Sequence, residues 1–310
     1  MTQQIALSVG TIEYEDTGGG GPAIVLLHGL FMDASLWEKV IDDLAPACRC
    51  VAPTLPLGAH RHPMSADADL SPRGLARLTA EFLDRLDLRD VTLVGNDTGG
   101  ALVQLLAAAR SPRIAQIALV SCDAFENFPA GLTGQALVLA GKLSPCLFGL
   151  FMQQLRLRPL RRLPLAFGWL TVRGDSVTRR WLTPVLTQRA IRRDMVRALR
   201  GIAAEPRLLL DVAEDLRGFE RPALVAWASA DRVMPPEHGH RLAKLLPQGQ
   251  LVEIPDSYTL IPLDQPAKLA NALHEFHAPL VPERVSAAQA RESATRNPDL
   301  VTAVSPSERA

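Results

Sequence analysis

Short apolar runs alternate with helical stretches along most of this chain, and that alternation is its strongest constraint on fold. Residues 23–27 (AIVLL), 49–53, 91–95 (VTLVG), 114–121 (IAQIALVS), 223–228 (ALVAWA) and 250–254 are the runs. The first of them is a continuous apolar stretch, which suits a strand buried on both faces. Between them lie helical patterns at 35–45, 72–87, 98–110, 236–246 and 265–277. Ser71 stands where an N-cap belongs and Pro72 at the first helical position. Residues 3–9 and 11–17 alternate apolar and polar about Gly10 and read as a hairpin. The expected class is therefore α/β, a mostly parallel sheet with helices on both faces.

The alternation breaks once. Residues 124–216 carry no strand signal and several helical stretches interrupted by prolines, which reads as a helical cap inserted into the sheet. The expected division is a core of 1–123 and 217–279, a cap of 124–216, and an aperiodic polar tail at 280–310 expected to be disordered. The chain has 310 residues, 47% of them hydrophobic, enough for a sizeable core. Its 33 basic and 33 acidic side chains balance, which points away from nucleic acid and from a membrane surface. The expected location is cytoplasmic: Met1 to Gly10 shows neither a basic start nor an apolar core, and Cys48, Cys50, Cys122 and Cys146 read as reduced thiols.

The chemistry concentrates at Gly95-Asn96-Asp97-Thr98-Gly99-Gly100, between a strand and a helix. Its G-x-D-x-G spacing is that of a nucleophile elbow with Asp in place of Ser. A residue held in so sharp a turn needs tiny neighbours two positions away. The helix that starts just beyond it offers free N–H groups and a positive dipole end to a carboxylate or an oxyanion. An ordinary helix N-cap is the bland alternative.

Together these pieces resemble the α/β-hydrolase superfamily over about residues 5–277. The matching segments are LLHG at 26–29, Leu36-Trp37, LVGNDTGG at 93–100, Asp231 in WASADRVMP, and LDQP at 263–266. The resemblance implies Asp97 as nucleophile, the backbone N–H groups of Leu30 and Thr98 as oxyanion hole, and Asp231 as the acid of the triad, with Asp123 as the alternative acid. It also implies a catalytic His just before the last helix. Here that slot reads Thr259, and no His lies between His240 and His274. A threonine hydroxyl is not basic at neutral pH, so the usual general base, worth roughly 10²–10⁴-fold, is missing. His60, His28 and Tyr258 are candidates for a replacement role, His28 with a structural role as its expected alternative.

Two aspartate-nucleophile activities can be tested on residues. Haloalkane dehalogenases hold the halide with a Trp after the nucleophile, where this chain has Thr98, which disfavours dehalogenation. Epoxide hydrolases use cap tyrosines, and the only tyrosines here are Tyr14 and Tyr258, both outside 124–216, which argues against epoxide opening by the usual route. The cap is rich in arginine: thirteen lie between Arg156 and Arg207, against Asp175, Asp194 and Glu205. Either this draws in an anionic ligand or the arginines simply coat helix faces. Phe148, Phe151, Phe167, Trp169 and Trp181 are candidates to line an apolar pocket. No ligand-spaced metal cluster and no dinucleotide fingerprint is visible, so no metal or cofactor is expected. The expected function is hydrolysis of a small, largely apolar molecule at Asp97. The alternative is a non-hydrolytic, ligand-binding member, or one that uses Asp97 as a base. Sequence sets neither substrate nor oligomeric state.

Overall fold

A computed structural model of the chain describes residues 2–173 and 175–277. The expected tail at 280–310 lies outside the described residues. Eight strands form one sheet: β1 (Thr2–Leu7), β2 (Gly10–Asp16), β3 (Ala23–Leu27), β4 (Arg49–Pro53), β5 (Val91–Asp97), β6 (Ile114–Cys122), β7 (Ala223–Ala228) and β8 (Gly249–Ile254). Their order is β1-β2-β4-β3-β5-β6-β7-β8. The first hairpin is antiparallel, β2 pairs antiparallel with β4, and every later pairing is parallel. The α/β expectation holds, with the apolar runs at the middle of the sheet. All seven residues of β5 and all six of β7 are buried, as strands covered on both faces must be.

The helices of the core are α1 (Glu38–Leu44), α2 (Pro72–Arg85) and α3 (Thr98–Ala108). Ser71 caps α2, its hydroxyl accepting from the Gly74 N–H at 3.1 Å. Between β6 and β7 the described residues form six α-helices and no strand: α4 (Gly131–Gly141), α5 (Pro145–Gln153), α6 (Arg158–Arg161), α7 (Asp175–Thr187), α8 (Arg189–Ala204) and α9 (Leu208–Leu216). This is the inserted helical cap. The core then resumes with α10 (Pro236–Leu245), α11 (Ile261–Asp264) and α12 (Pro266–His277).

Buried carboxylates bolt the cap to the core. Asp194 of α8 is fully buried and accepts from the Met64 N–H at 2.8 Å. Asp264, in the LDQP segment, accepts from the Thr171 hydroxyl at 2.7 Å, the Val172 N–H at 3.0 Å and the Tyr258 N–H at 3.1 Å. One carboxylate therefore fixes both the cap and the loop before α12. Many cap arginines hold main-chain carbonyls: Arg193 reaches Met64 O, Arg197 reaches Ser65 O, and Arg200 reaches Gly141 O and Leu143 O. They act as structural clamps. All four cysteines are free, and only Cys146 is exposed.

Candidate active site

Asp97 ends β5 and begins α3 with φ 55° and ψ −130°, a conformation that a non-glycine residue adopts only under strain. Its neighbours explain why the turn tolerates it. A Cβ on Gly95 would overlap the Gly99 carbonyl, and one on Gly99 would overlap the Leu27 carbonyl. A Cβ on Gly29 would overlap the Asp97 carboxylate itself. The three glycines let the His28-Gly29 loop and the start of α3 close around one side chain.

The Asp97 carboxylate is held asymmetrically. Its Oδ1 accepts from the Thr98 N–H at 2.6 Å, the Thr98 hydroxyl at 3.0 Å and the Leu30 N–H at 3.3 Å. The two backbone N–H groups anticipated as an oxyanion hole converge on this oxygen. Oδ2 has no hydrogen-bond partner among the described residues. Asp97 is 8% exposed, and that exposure opens into a cavity beneath the cap. Burial raises its pKa, against the pull of the three donors.

The cavity lies between the β5 and β6 ends and the cap. Asp97, Thr98, Asp123 and Thr133 are its polar side chains; Leu30, Phe128, Leu137, Met152, Phe167 and Leu170 are among the apolar ones. No Lys, Arg, His, Trp, Tyr, Asn or Gln stands among its walls. Among the described residues the cap's arginines therefore do not line this space. Of the aromatic candidates only Phe167 lines the cavity. Trp181 is fully buried and donates from Nε1 to Asp33 and Ser35 at 2.9 Å, while Phe151 is 44% exposed. Phe128, Pro129, Leu137 and Met152 were not singled out from sequence, because nothing in their spacing distinguishes a wall from packing.

Asp123, just past β6, is buried beside Asp97. Its Oδ2 lies 3.1 Å from the Thr98 hydroxyl, and Oδ1 is buried without a hydrogen-bond partner among the described residues. Burial first, and then the charge of Asp97, push its pKa well above the carboxylate range.

Asp231 follows β7. Its Oδ1 accepts from the Val233 and Met234 N–H groups at 2.9 Å each and from the Thr259 hydroxyl at 2.8 Å. Burial raises its pKa to about 6. Thr259 is fully buried, and its carbonyl accepts from Asn96 Nδ2 at 2.7 Å. The residue before Asp97 thus pins the loop that carries Thr259. Asn96 was not picked out from sequence; its place between two elbow glycines was the one available signal. Asp231 and Thr259 touch each other, but neither is among the cavity walls.

The three replacement candidates are not brought to the cavity. His28 uses both ring nitrogens structurally: Nδ1 donates to the Gly29 carbonyl at 2.8 Å and Nε2 accepts from the Leu55 N–H at 2.9 Å. Complete burial lowers its pKa to about 4. The candidacy of His60 fails on position, since its Nδ1 accepts from Gly58 N–H at 3.3 Å and its Nε2 sits 3.6 Å from Asp194 Oδ2. Its ring belongs to the bolt between cap and core. Tyr258 is likewise turned away, stacked under Arg232 at 4.7 Å and lining a different surface cavity. Among the described residues no cluster of His, Cys, Asp or Glu is arranged to hold a metal ion.

A family model described as the alpha/beta hydrolase family matches residues 24–272, and the chain belongs to that family. Over 119 residues it is 37% identical to a haloalkane dehalogenase of Mesorhizobium japonicum, a match spanning 38% of this chain and only 37% of that protein. It is 26% identical over 272 residues to haloalkane dehalogenase 2 of Mycobacterium tuberculosis, covering 86% of this chain and 92% of the relative. Among solved structures it is similar to a haloalkane dehalogenase from Bradyrhizobium elkani, with a TM-score of 0.73 and 18% identity over 90% of this chain and 97% of the other. An esterase from Thermogutta terrifontis superposes with a TM-score of 0.68 and 22% identity, over 89% and 97% of the two chains. At those identities the structural likeness shows the fold alone. None of the described helices is long and apolar enough to cross a membrane.

Proposed function

We propose that this chain is a hydrolase-fold enzyme that takes a small, largely apolar electrophile into the cavity under its cap and attacks it with Asp97. The single observation that carries this reading is the asymmetry of the Asp97 carboxylate. Oδ1 is fixed by the Leu30 and Thr98 N–H groups, while Oδ2 has no partner and belongs to a side chain facing an apolar cavity. An anchored carboxylate with one unengaged oxygen suits in-line attack on carbon, and the product is an ester on Asp97. The same two N–H groups then lie where charge develops when that ester is cleaved. The catalytic unit in this reading is the core of 1–123 and 217–279, with 124–216 as the lid of the cavity.

The dehalogenase names of several relatives do not carry over easily. A departing halide needs N–H donors beside it, and the cavity wall offers neither an indole nor an amide side chain. A second reading, capture or binding of a ligand without turnover, is favoured by Thr259: it fills the position of the usual base and is itself bound to Asp231.

One experiment tests the proposal. The protein and its Asp97→Asn variant are incubated with a panel of alkyl and acyl electrophiles, and intact masses are followed with time. An adduct on the wild type alone that appears and decays supports the enzyme. An adduct that persists supports the second reading. No adduct on either protein across the panel overturns Asp97 as a nucleophile.

A further inference from the structure

The Thr98 hydroxyl lies 3.0 Å from Asp97 Oδ1 and 3.1 Å from Asp123 Oδ2. A hydroxyl has one proton, so it can donate to only one of these oxygens. The second contact is a hydrogen bond only if that carboxyl carries a proton and donates to Thr98 Oγ1. Asp97 Oδ1 already receives two backbone N–H groups, which mark it as the ionised oxygen. The proton therefore belongs to Asp123, and the chain runs from the Asp123 carboxyl through Thr98 Oγ1 to the Asp97 carboxylate. The surroundings agree. Asp123 is 3% exposed and meets no cation in the cavity wall. Two carboxyl groups this close cannot both ionise cheaply.

We propose that Asp123 is the proton donor of this site, and that its proton selects substrates whose leaving atom is an oxygen needing protonation, with an apolar epoxide as the substrate class. The inference rests on the Asp97 reading and assigns what that reading leaves open. Asp97 Oδ2 attacks a ring carbon, the carbon–oxygen bond of the ring breaks, and the oxygen takes the Asp123 proton. This leaves a hydroxyalkyl ester on Asp97 and a carboxylate at Asp123. That carboxylate then serves as base. It takes a proton from water, and the resulting hydroxide attacks the ester carbonyl, whose oxyanion meets the Leu30 and Thr98 N–H groups. Collapse expels the second alkoxide, which takes the proton of the new Asp97 carboxyl. Asp97 is again ionised, Asp123 again protonated, and the sum is epoxide plus water to diol. One carboxyl acting as acid and then base is the logic of retaining glycosidases, and it needs neither a His at position 259 nor cap tyrosines.

The test compares two probes of matched carbon skeleton, styrene oxide and phenethyl methanesulfonate. The first leaves an alkoxide and the second a stable anion that needs no proton. Wild type, Asp97→Asn and Asp123→Asn are labelled across a pH series and read by intact mass, with thermal melting as a check on folding. The groups facing Asp123 are Asp97 at the end of β5, Thr98 at the start of α3, the Ala130 backbone and Cys122 at the end of β6. Expected for wild type is labelling by styrene oxide that falls as pH rises through the ionisation of Asp123, with no such fall for the methanesulfonate. Asp123→Asn loses roughly 10²-fold or more of the epoxide rate and its pH dependence, while methanesulfonate labelling changes only a few-fold. Epoxide labelling that survives in Asp123→Asn overturns the inference and leaves Asp97 standing. So does equal loss with both probes, which marks a merely structural residue. Absence in the wild type of both an adduct and conversion, with either probe, sinks the Asp97 reading and this inference with it.

Discussion

Two buried aspartates flank Asp97, and they are built differently. Asp231 has three donors on Oδ1, two of them backbone N–H groups within its own loop; its Oδ2 is buried without a partner among the described residues, and it lies outside the cavity wall. Asp123 shares a single hydroxyl with Asp97, keeps an oxygen without a partner, and faces the cavity. In this fold the acid after the seventh strand ordinarily has a base to orient; here it orients a threonine. On the proposed reading, an acid whose donors come from its own loop and which stands off the cavity shapes that loop, while an acid that shares a hydroxyl with Asp97 at the cavity wall takes part in the chemistry.

That contrast can be broken in four places. Asp97→Asn should abolish labelling by any electrophile, since loss of a nucleophile costs on the order of 10⁶ in rate; intact mass checks this. Asp123→Asn should cost the epoxide reaction its proton, as set out above, and leave the thermal midpoint close to wild type.

Asp231→Asn should act on stability more than on chemistry. Burial raises the Asp231 pKa from 3.8 to about 6. The folded state therefore binds a proton more tightly than the unfolded chain. The stability this gives is fully present below pH ~4 and is lost as pH rises through ~6, about 3 kcal/mol in all. The Asn variant lacks that loss. Its melting temperature relative to wild type should rise between pH ~4 and ~6 and then level off. A constant difference across the range would return Asp231 to an exposed-like environment and weaken the contrast. The smallest effect is expected for Thr259→Ala. It removes one hydrogen bond to Asp231, worth about 1 kcal/mol in chemical denaturation, and should leave labelling within a few-fold. A large loss of labelling in Thr259→Ala would move the reactive centre to the Asp231 side.

Much of the fold was legible because its strands are apolar runs and its breaks fall at glycines and prolines. The helix at 72–85, its Ser71 cap and the strand at 223–228 follow from residue type alone. The elbow was legible for a related reason: Gly95 and Gly99 are forced by neighbouring backbone carbonyls, and Gly29 by the Asp97 side chain. Thr259 was found by counting back from Gln265-Pro266, and its bond to Asp231 agrees with that count. What sequence could not supply was direction. His60 and Tyr258 sit in loops at the right edge of the sheet, but one ring turns toward Asp194 and the other under Arg232. Several of the cap's arginines, Arg193, Arg197 and Arg200 among them, are likewise carbonyl clamps, because helices that lie over a loop must satisfy its main chain. Asp123 was visible as a position; the Thr98 hydroxyl it shares with Asp97 appears only in the structure.

The central claim is that Asp97 forms an ester which water cleaves at the carbonyl carbon. A single turnover of styrene oxide in isotopically labelled water, with protein in excess, tests it most directly. Digestion and mass analysis then locate the heavy oxygen. The account predicts that it enters the peptide containing Asp97 and is absent from the first-formed diol. Heavy oxygen in the diol with none at Asp97 would mean that water attacks the substrate directly, and the claim would be wrong.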